Sequence, residues 1–145
     1  MPASVYIETT IPSAYFETRR DRYAVGIRAL TRKWWDEYAP TYRCVSSGAV
    51  WLELSRPSYP ASKRARAIRL VENMEMLEDV PAIHEIATLY IREKLMPADV
   101  AGDAYHPAYA SYYHIAYLLT WNCGHLARGC SLFMEVSGLR RVVPL

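Results

Sequence analysis

The sequence predicts an α/β fold in which a mostly parallel central sheet is covered by helices on both faces. Three observations lead there. Short β-branched or aromatic runs alternate along the chain with segments of helical periodicity, the order that parallel strands joined by crossover helices require. The first of those runs, Val5-Tyr6-Ile7, is apolar throughout, as a strand buried on both faces is. Two polar residues, Glu8 and Asn122, fall at the ends of the first and fourth runs, and in such sheets ligands bind outside the carboxyl ends of the strands.

The elements follow in order. Residues 4–7 read as a buried strand. A helix can begin at 11–16, with Pro12 tolerated in its first turn and Thr10 as its cap. The polar stretch 17–22 is a loop. Across 23–38, Ile27, Leu30, Trp34 and Tyr38 recur at helical spacing until Pro40 ends the segment. A second strand at 42–46 passes at Ser47 or Gly48 into a helix carrying Glu53, and Pro57 and Pro60 bracket a turn. A helix at 61–74 has Ile68 and Val71 on its apolar side; a weaker strand at 76–80 follows. Residues 83–95 and 99–114 read as helices, 116–120 as a fourth strand, the chain from about 122 as a helix, and 140–143 as a last strand.

At 145 residues the chain is one domain, 1–145, long enough for a real core. A net charge of +2 is too small to argue for nucleic acid by itself. Position says more: Arg56, Lys63, Arg64, Arg66 and Arg69 occupy a stretch with no acid between Glu53 and Glu72. That stretch is either a phosphate-binding patch or a solvated helix face. Cys44, Cys123 and Cys130 lack metal-site spacing and read as reduced thiols of a cytoplasmic protein. No apolar run approaches the length of a membrane span, and the N-terminus lacks the pattern of an export signal.

Four polar residues stand at the edges of apolar stretches: Glu8, Glu53, Asp103 and Asn122. A carboxylate in such a setting is costly unless its charge is compensated. Three of them, from distant parts of one small chain, suggest a shared divalent cation. Hard oxygen donors without a Cys/His cluster favour Mg²⁺ or Mn²⁺ over zinc. Taken singly, each has another use. Glu8 can end a strand or cap a helix, Glu53 can pair with Arg56, Asp103 can lie on a helix surface, and Asn122 can be an N-cap. His106 shares the Asp103 helix and reads as facing the core, with a direct role in the site as the alternative, and His125 reads as packing or capping near the site.

The run Val5-Tyr6-Ile7-Glu8-Thr9-Thr10-Ile11-Pro12-Ser13 resembles the opening strand and helix of PIN-domain proteins. Asp103-Ala104-Tyr105-His106-Pro107-Ala108, followed by Tyr117-Leu118-Leu119-Thr120-Trp121-Asn122-Cys123-Gly124-His125, is similar to the second half of that fold, and 46–53 to its central acidic segment. The resemblance spans nearly the whole chain with its parts in the right order. It implies a three-layer α/β/α sandwich whose acidic cluster binds Mg²⁺ or Mn²⁺ and cleaves RNA as an endoribonuclease, in many relatives the VapC-type toxin of a toxin–antitoxin pair. By position, Glu8, Glu53, Asp103 and Asn122 would be the catalytic and metal-binding residues, with Thr9 and Thr120 supporting them. Arg56, Lys63, Arg64 and Arg66 would contact RNA. An antitoxin protein and a second copy of the chain are the expected partners, the homodimer pairing through segments 23–38 and 83–95. Three features depart from the pattern: Glu8 replaces the commoner Asp, Pro107 interrupts a helix beside Asp103, and the tail after His125 is short, which implies a reduced last helix and edge strand. They leave a second reading, a catalytically degenerate module that binds RNA or protein without cleaving.

Overall fold

The computed structural model describes residues 1–93, 101–122, 133–136 and 139–142, of which 101–103 and the last two segments are described by backbone alone. Six strands, β1 (Ser4–Ile7), β2 (Arg43–Ser47), β3 (Glu75–Leu77), β4 (Tyr117–Thr120), β5 (Phe133–Val136) and β6 (Leu139–Val142), form one sheet in the order β3-β2-β1-β4-β5-β6. The first four are parallel, and β5 and β6 add antiparallel pairs at one edge. The helices are α1 (Thr10–Tyr15), α2 (Arg22–Glu37), α3 (Gly48–Leu54), α4 (Ala61–Glu72), α5 (Pro81–Arg92) and α6 (Ala101–Tyr112), with a 3₁₀ turn at Ala39–Thr41. The result is a three-layer α/β/α sandwich, as expected.

Strand periodicity divides the core in two, because successive side chains point to opposite faces. Val5 and Ile7 of β1 join Leu119, Ile11 and Trp34 on the α1–α2 side. Tyr6, between them, joins Val45, Leu118, Val50, Leu54, Val71, Ile83 and Tyr109 on the side covered by α3 to α6. Tyr6 thereby carries a phenol hydroxyl into the interior, where it needs a partner. Capping fixes the helix starts. The Asp21 side chain accepts from the Ala24 amide at the head of α2, and Ser47 Oγ accepts from Ala49 N–H at the head of α3, at 3.0 and 3.2 Å.

Several boundaries differ from expectation for identifiable reasons. Strand β3 stops at Leu77 rather than 80 because its partner residue, Ser47, is where β2 turns into α3 and offers no further ladder. Helix α1 begins at Thr10, whose hydroxyl binds Glu8 instead of capping. Pro107 lies inside α6, and the helix continues through it to Tyr112. Strand β5 was not expected. The helix expected from about 122 falls on 123–132, outside the described residues.

Candidate metal centre

Parallel strands put all their carboxyl ends on one edge of the sheet. The order β3-β2-β1-β4 also makes the gap between β1 and β4 the point where the connections reverse direction, the place where α/β sheets open a crevice. Glu8 immediately follows β1 and Thr120 closes β4, so both stand at that gap. Glu53 arrives on α3, which springs from the end of β2, and His106 on α6.

Glu8 is 5% exposed and firmly held. Its Oε2 accepts hydrogen bonds from the Thr10 amide at 3.0 Å, from the Thr10 hydroxyl, and from the Thr120 hydroxyl at 2.8 Å. Those hydroxyls are themselves anchored: Trp121 N–H donates to Thr10 Oγ1 at 2.8 Å, and Asn122 N–H to Thr120 Oγ1 at 2.9 Å. The other oxygen, Oε1, lies 4.0 Å from His106 Nε2. Sequence runs that are 110 residues apart are thus fastened into one support for a single carboxylate.

His106, 2% exposed, links the rest. Its Nε2 lies 2.9 Å from Glu53 Oε1, and its Nδ1 lies 2.9 Å from the Tyr6 hydroxyl, which in turn is 2.7 Å from Ser47 Oγ. Burial pushes the Tyr6 phenol well above its ordinary value, so it stays protonated. For Glu53, burial works to raise the carboxyl, but the His106 hydrogen bond and charge outweigh it, with smaller help from Thr9 and Arg56, and the net displacement is downward. Thr9 Oγ1 lies close enough to favour the ionised Glu53 yet is buried without a hydrogen bond of ordinary geometry among the described residues.

Glu8, Glu53 and His106 each offer a ligand atom, and these atoms lie within 4.8 Å of one another. Two carboxylates and a buried imidazole fit a divalent cation, and this buried Glu-Glu-His group could bind one. The two glutamates were expected here. Asp103 lies in α6 three residues before His106, but its side chain is outside the described residues, as is His125. Asn122 follows Thr120 at the same sheet edge and is partly buried. Thr120 and Thr10 both donate directly to Glu8, whereas the sequence points to Thr9 and Thr120 as the supporting hydroxyls. His106 and Tyr6 were underrated. The signal available was a polar residue at an inward position of each of two buried elements.

The expected RNA-contact residues separate. Arg56 and Arg66 are exposed, and Arg56 is near enough for its charge to act on Glu53. Lys63 is 7% exposed: its ammonium donates to Ser13 Oγ and Ser13 O at 2.9 and 3.2 Å and lies 3.7 Å from Glu17. The Arg64 guanidinium donates to the carbonyls of Arg56 and Tyr59 at 3.1 and 2.7 Å and so holds the α3–α4 turn. Lys63 and Arg64 therefore serve the fold where the sequence had placed them on a phosphate-facing surface.

Fold and site together define an α/β sandwich with a buried glutamate–glutamate–histidine group at the carboxyl edge of its sheet. No protein-family model matches the chain, and no curated protein does. Among solved structures, its fold is similar to that of a chain in a toxin-antitoxin complex from Klebsiella pneumoniae. The two share a TM-score of 0.60 and 18% sequence identity over 86% of this chain and 92% of that one. At that identity the likeness is one of fold. Among the described residues, no helix is long and apolar enough to cross a membrane.

Proposed function

We propose that this protein is a divalent-metal-dependent endoribonuclease that hydrolyses RNA phosphodiester bonds, and that it acts as the toxin of a toxin–antitoxin pair. The observation that carries the reading is the convergence of Glu8, Glu53 and His106, from three separate elements, on one point at the carboxyl edge of the sheet. The shared fold with a chain of a toxin-antitoxin complex supports the second half of it. Glu8, Glu53 and His106 would hold the ion, with Asp103 and Asn122 as further ligands. A bound divalent ion supplies a Lewis acid for the phosphoryl oxygens and makes water nucleophilic near neutral pH. The chain supplies the rest. Thr10 and Thr120 keep the Glu8 carboxylate in one orientation, and Arg56, exposed beside Glu53, provides positive charge for an approaching phosphate. Exposed Tyr23, Val25 and Leu30 on α2 and Leu89 on α5 supply apolar surface for pairing two copies.

One observation favours a second reading. Glu53 already has an imidazole at 2.9 Å and Glu8 already accepts hydrogen bonds from two hydroxyls and an amide, so both carboxylates are compensated without a cation. That suits a degenerate module which binds RNA or protein. Incubating purified protein with structured RNA, with Mg²⁺, Mn²⁺, Co²⁺, Zn²⁺ or chelator, separates the two. Cleavage that needs a divalent ion and is lost in Glu53→Gln supports the nuclease. Binding without cleavage under every metal condition moves the protein to the second reading.

A further inference from the structure

The acids and amide that the sequence offers are all oxygen donors, suited to Mg²⁺ or Mn²⁺, and the structure adds the nitrogen of His106. We infer that the centre is a mixed nitrogen–oxygen site that takes a first-row transition-metal ion such as Co²⁺ or Zn²⁺ in preference to Mg²⁺. In it, Tyr6 is the positioning residue that holds His106 in its ligating form. The inference rests on the metal-centre reading above and narrows the ion that the centre takes.

Spacing comes first. Two donors about 2.1 Å from one cation and at right angles to each other lie about 3 Å apart. His106 Nε2 and Glu53 Oε1 are 2.9 Å apart, so both can serve one ion without rearrangement. Glu8 Oε1, 4.0 Å from the same nitrogen, stands across from it. The Glu8 carboxylate is prevented from turning by three hydrogen bonds to its other oxygen.

Orientation is the second part. The His106 ring is enclosed, and the Tyr6 ring lies against it with centroids 5.7 Å apart. Tyr6 is wholly buried, and its hydroxyl bridges His106 Nδ1 and Ser47 Oγ. A phenol can run this chain in either direction. When Tyr6 donates to Nδ1, the imidazole proton sits on Nε2 and is given to Glu53. When Nδ1–H donates to Tyr6 and Tyr6 donates to Ser47, Nε2 presents a lone pair between the two glutamates. Ser47 Oγ has a second lone pair for the Ala49 amide it also accepts. Both arrangements hold the same number of protons; the second gives up the hydrogen bond from Nε2 to Glu53, and a cation held between those two atoms would replace it. A hydrogen bond to the far nitrogen of a ligating histidine is the usual means of fixing its tautomer and raising its basicity.

Donor chemistry gives the selectivity. Imidazole suits Zn²⁺, Co²⁺ and their neighbours, whose affinities rise along the first row, whereas Mg²⁺ prefers oxygen and sheds water reluctantly. A centre of carboxylates alone would show this bias more weakly, since the imidazole nitrogen is what adds to it.

The test uses the full chain stripped of metal, titrated calorimetrically with Co²⁺, Zn²⁺ and Mg²⁺, as wild type and as Tyr6→Phe. Circular dichroism of the metal-free proteins checks that both are folded. The expected result is Co²⁺ and Zn²⁺ binding at least about tenfold tighter than Mg²⁺. Tyr6→Phe should lose about 10–100-fold in Co²⁺ affinity with little change for Mg²⁺. Long-range ¹H–¹⁵N spectra of the Zn²⁺-loaded wild type should place the His106 proton on Nδ1. Mg²⁺ binding as tightly as Co²⁺, unaltered Co²⁺ affinity in Tyr6→Phe, or a proton on Nε2 in the Zn²⁺-loaded protein overturns the inference and leaves the metal centre standing. A wild type that binds none of the three ions removes both. Should Tyr6→Phe fail to fold, the ion preference and the proton position in the wild type decide the matter.

Discussion

Replacing Thr120 by Val removes one hydroxyl from the support of Glu8 while nearly keeping its shape. The position is 1% exposed, so water cannot take the hydroxyl's place. Two interactions go: the donation to Glu8 Oε2 at 2.8 Å and the acceptance from Asn122 N–H at 2.9 Å. A hydrogen bond to a charged group contributes about 1.5–3 kcal/mol, and an amide left without its acceptor costs about 1 kcal/mol more. The sum is about 2.5–4 kcal/mol, which for a chain of this length lowers Tm by about 8–12 °C. Urea unfolding of the metal-free protein, followed by tryptophan fluorescence and repeated on Thr120→Ser, isolates the hydroxyl, because Ser keeps it and loses only the methyl. Divalent-ion affinity of the Val variant should fall about tenfold, since the Glu8 carboxylate is no longer held in register. If Thr120→Val is as stable as the wild type and binds metal equally well, Glu8 is not positioned in the way described, and the account of the site's support is wrong.

Four further outcomes are expected. Asp103→Asn should abolish RNA cleavage without lowering the metal-free Tm, which parallel activity and melting measurements check; a fully active variant removes Asp103 from the site. Glu8→Asp should keep some metal binding and lose activity, because the shorter side chain cannot satisfy Thr10 and Thr120 and still approach His106; higher activity would instead mark Glu8 as a decayed position. Glu17, only 10% exposed, is held at about 2 from an ordinary 4.5 by the Arg19 hydrogen bond first, with burial opposing and Lys63 assisting. Its contribution is therefore complete above about pH 4.5 and is lost as pH falls through 2. That is about 1–2 kcal/mol after solvent screening on the Arg19 side, and urea midpoints in Glu17→Gln should lose this part of the acid dependence. Arg56→Glu with Arg66→Glu should weaken RNA binding and flatten its salt dependence, whereas Lys63→Met should act on stability instead.

Local periodicity was enough to determine the layered α/β architecture, the four parallel strands to within a few residues, and the places of Glu8 and Glu53 at the edges of apolar runs. It was enough because each of those features is written within a few neighbouring residues. An apolar run reads as a buried strand, and an acid at its end is out of place wherever the chain goes. What local pattern does not carry is which residues meet across the fold. His106 and Tyr6 are 100 positions apart, and His106 and Glu53 are 53 apart. Either residue alone reads as an ordinary core aromatic or imidazole. Lys63 shows the same limit in reverse. It shares the buried stripe of α4 with Ala67 and Val71, one helical turn apart each, yet a lysine in a basic run reads as exposed until Ser13 and Glu17 arrive from α1 and the loop after it to receive its charge. Whether a polar side chain faces water or the interior depends on the partner that compensates it, and here the partners come from elements that only tertiary packing brings together.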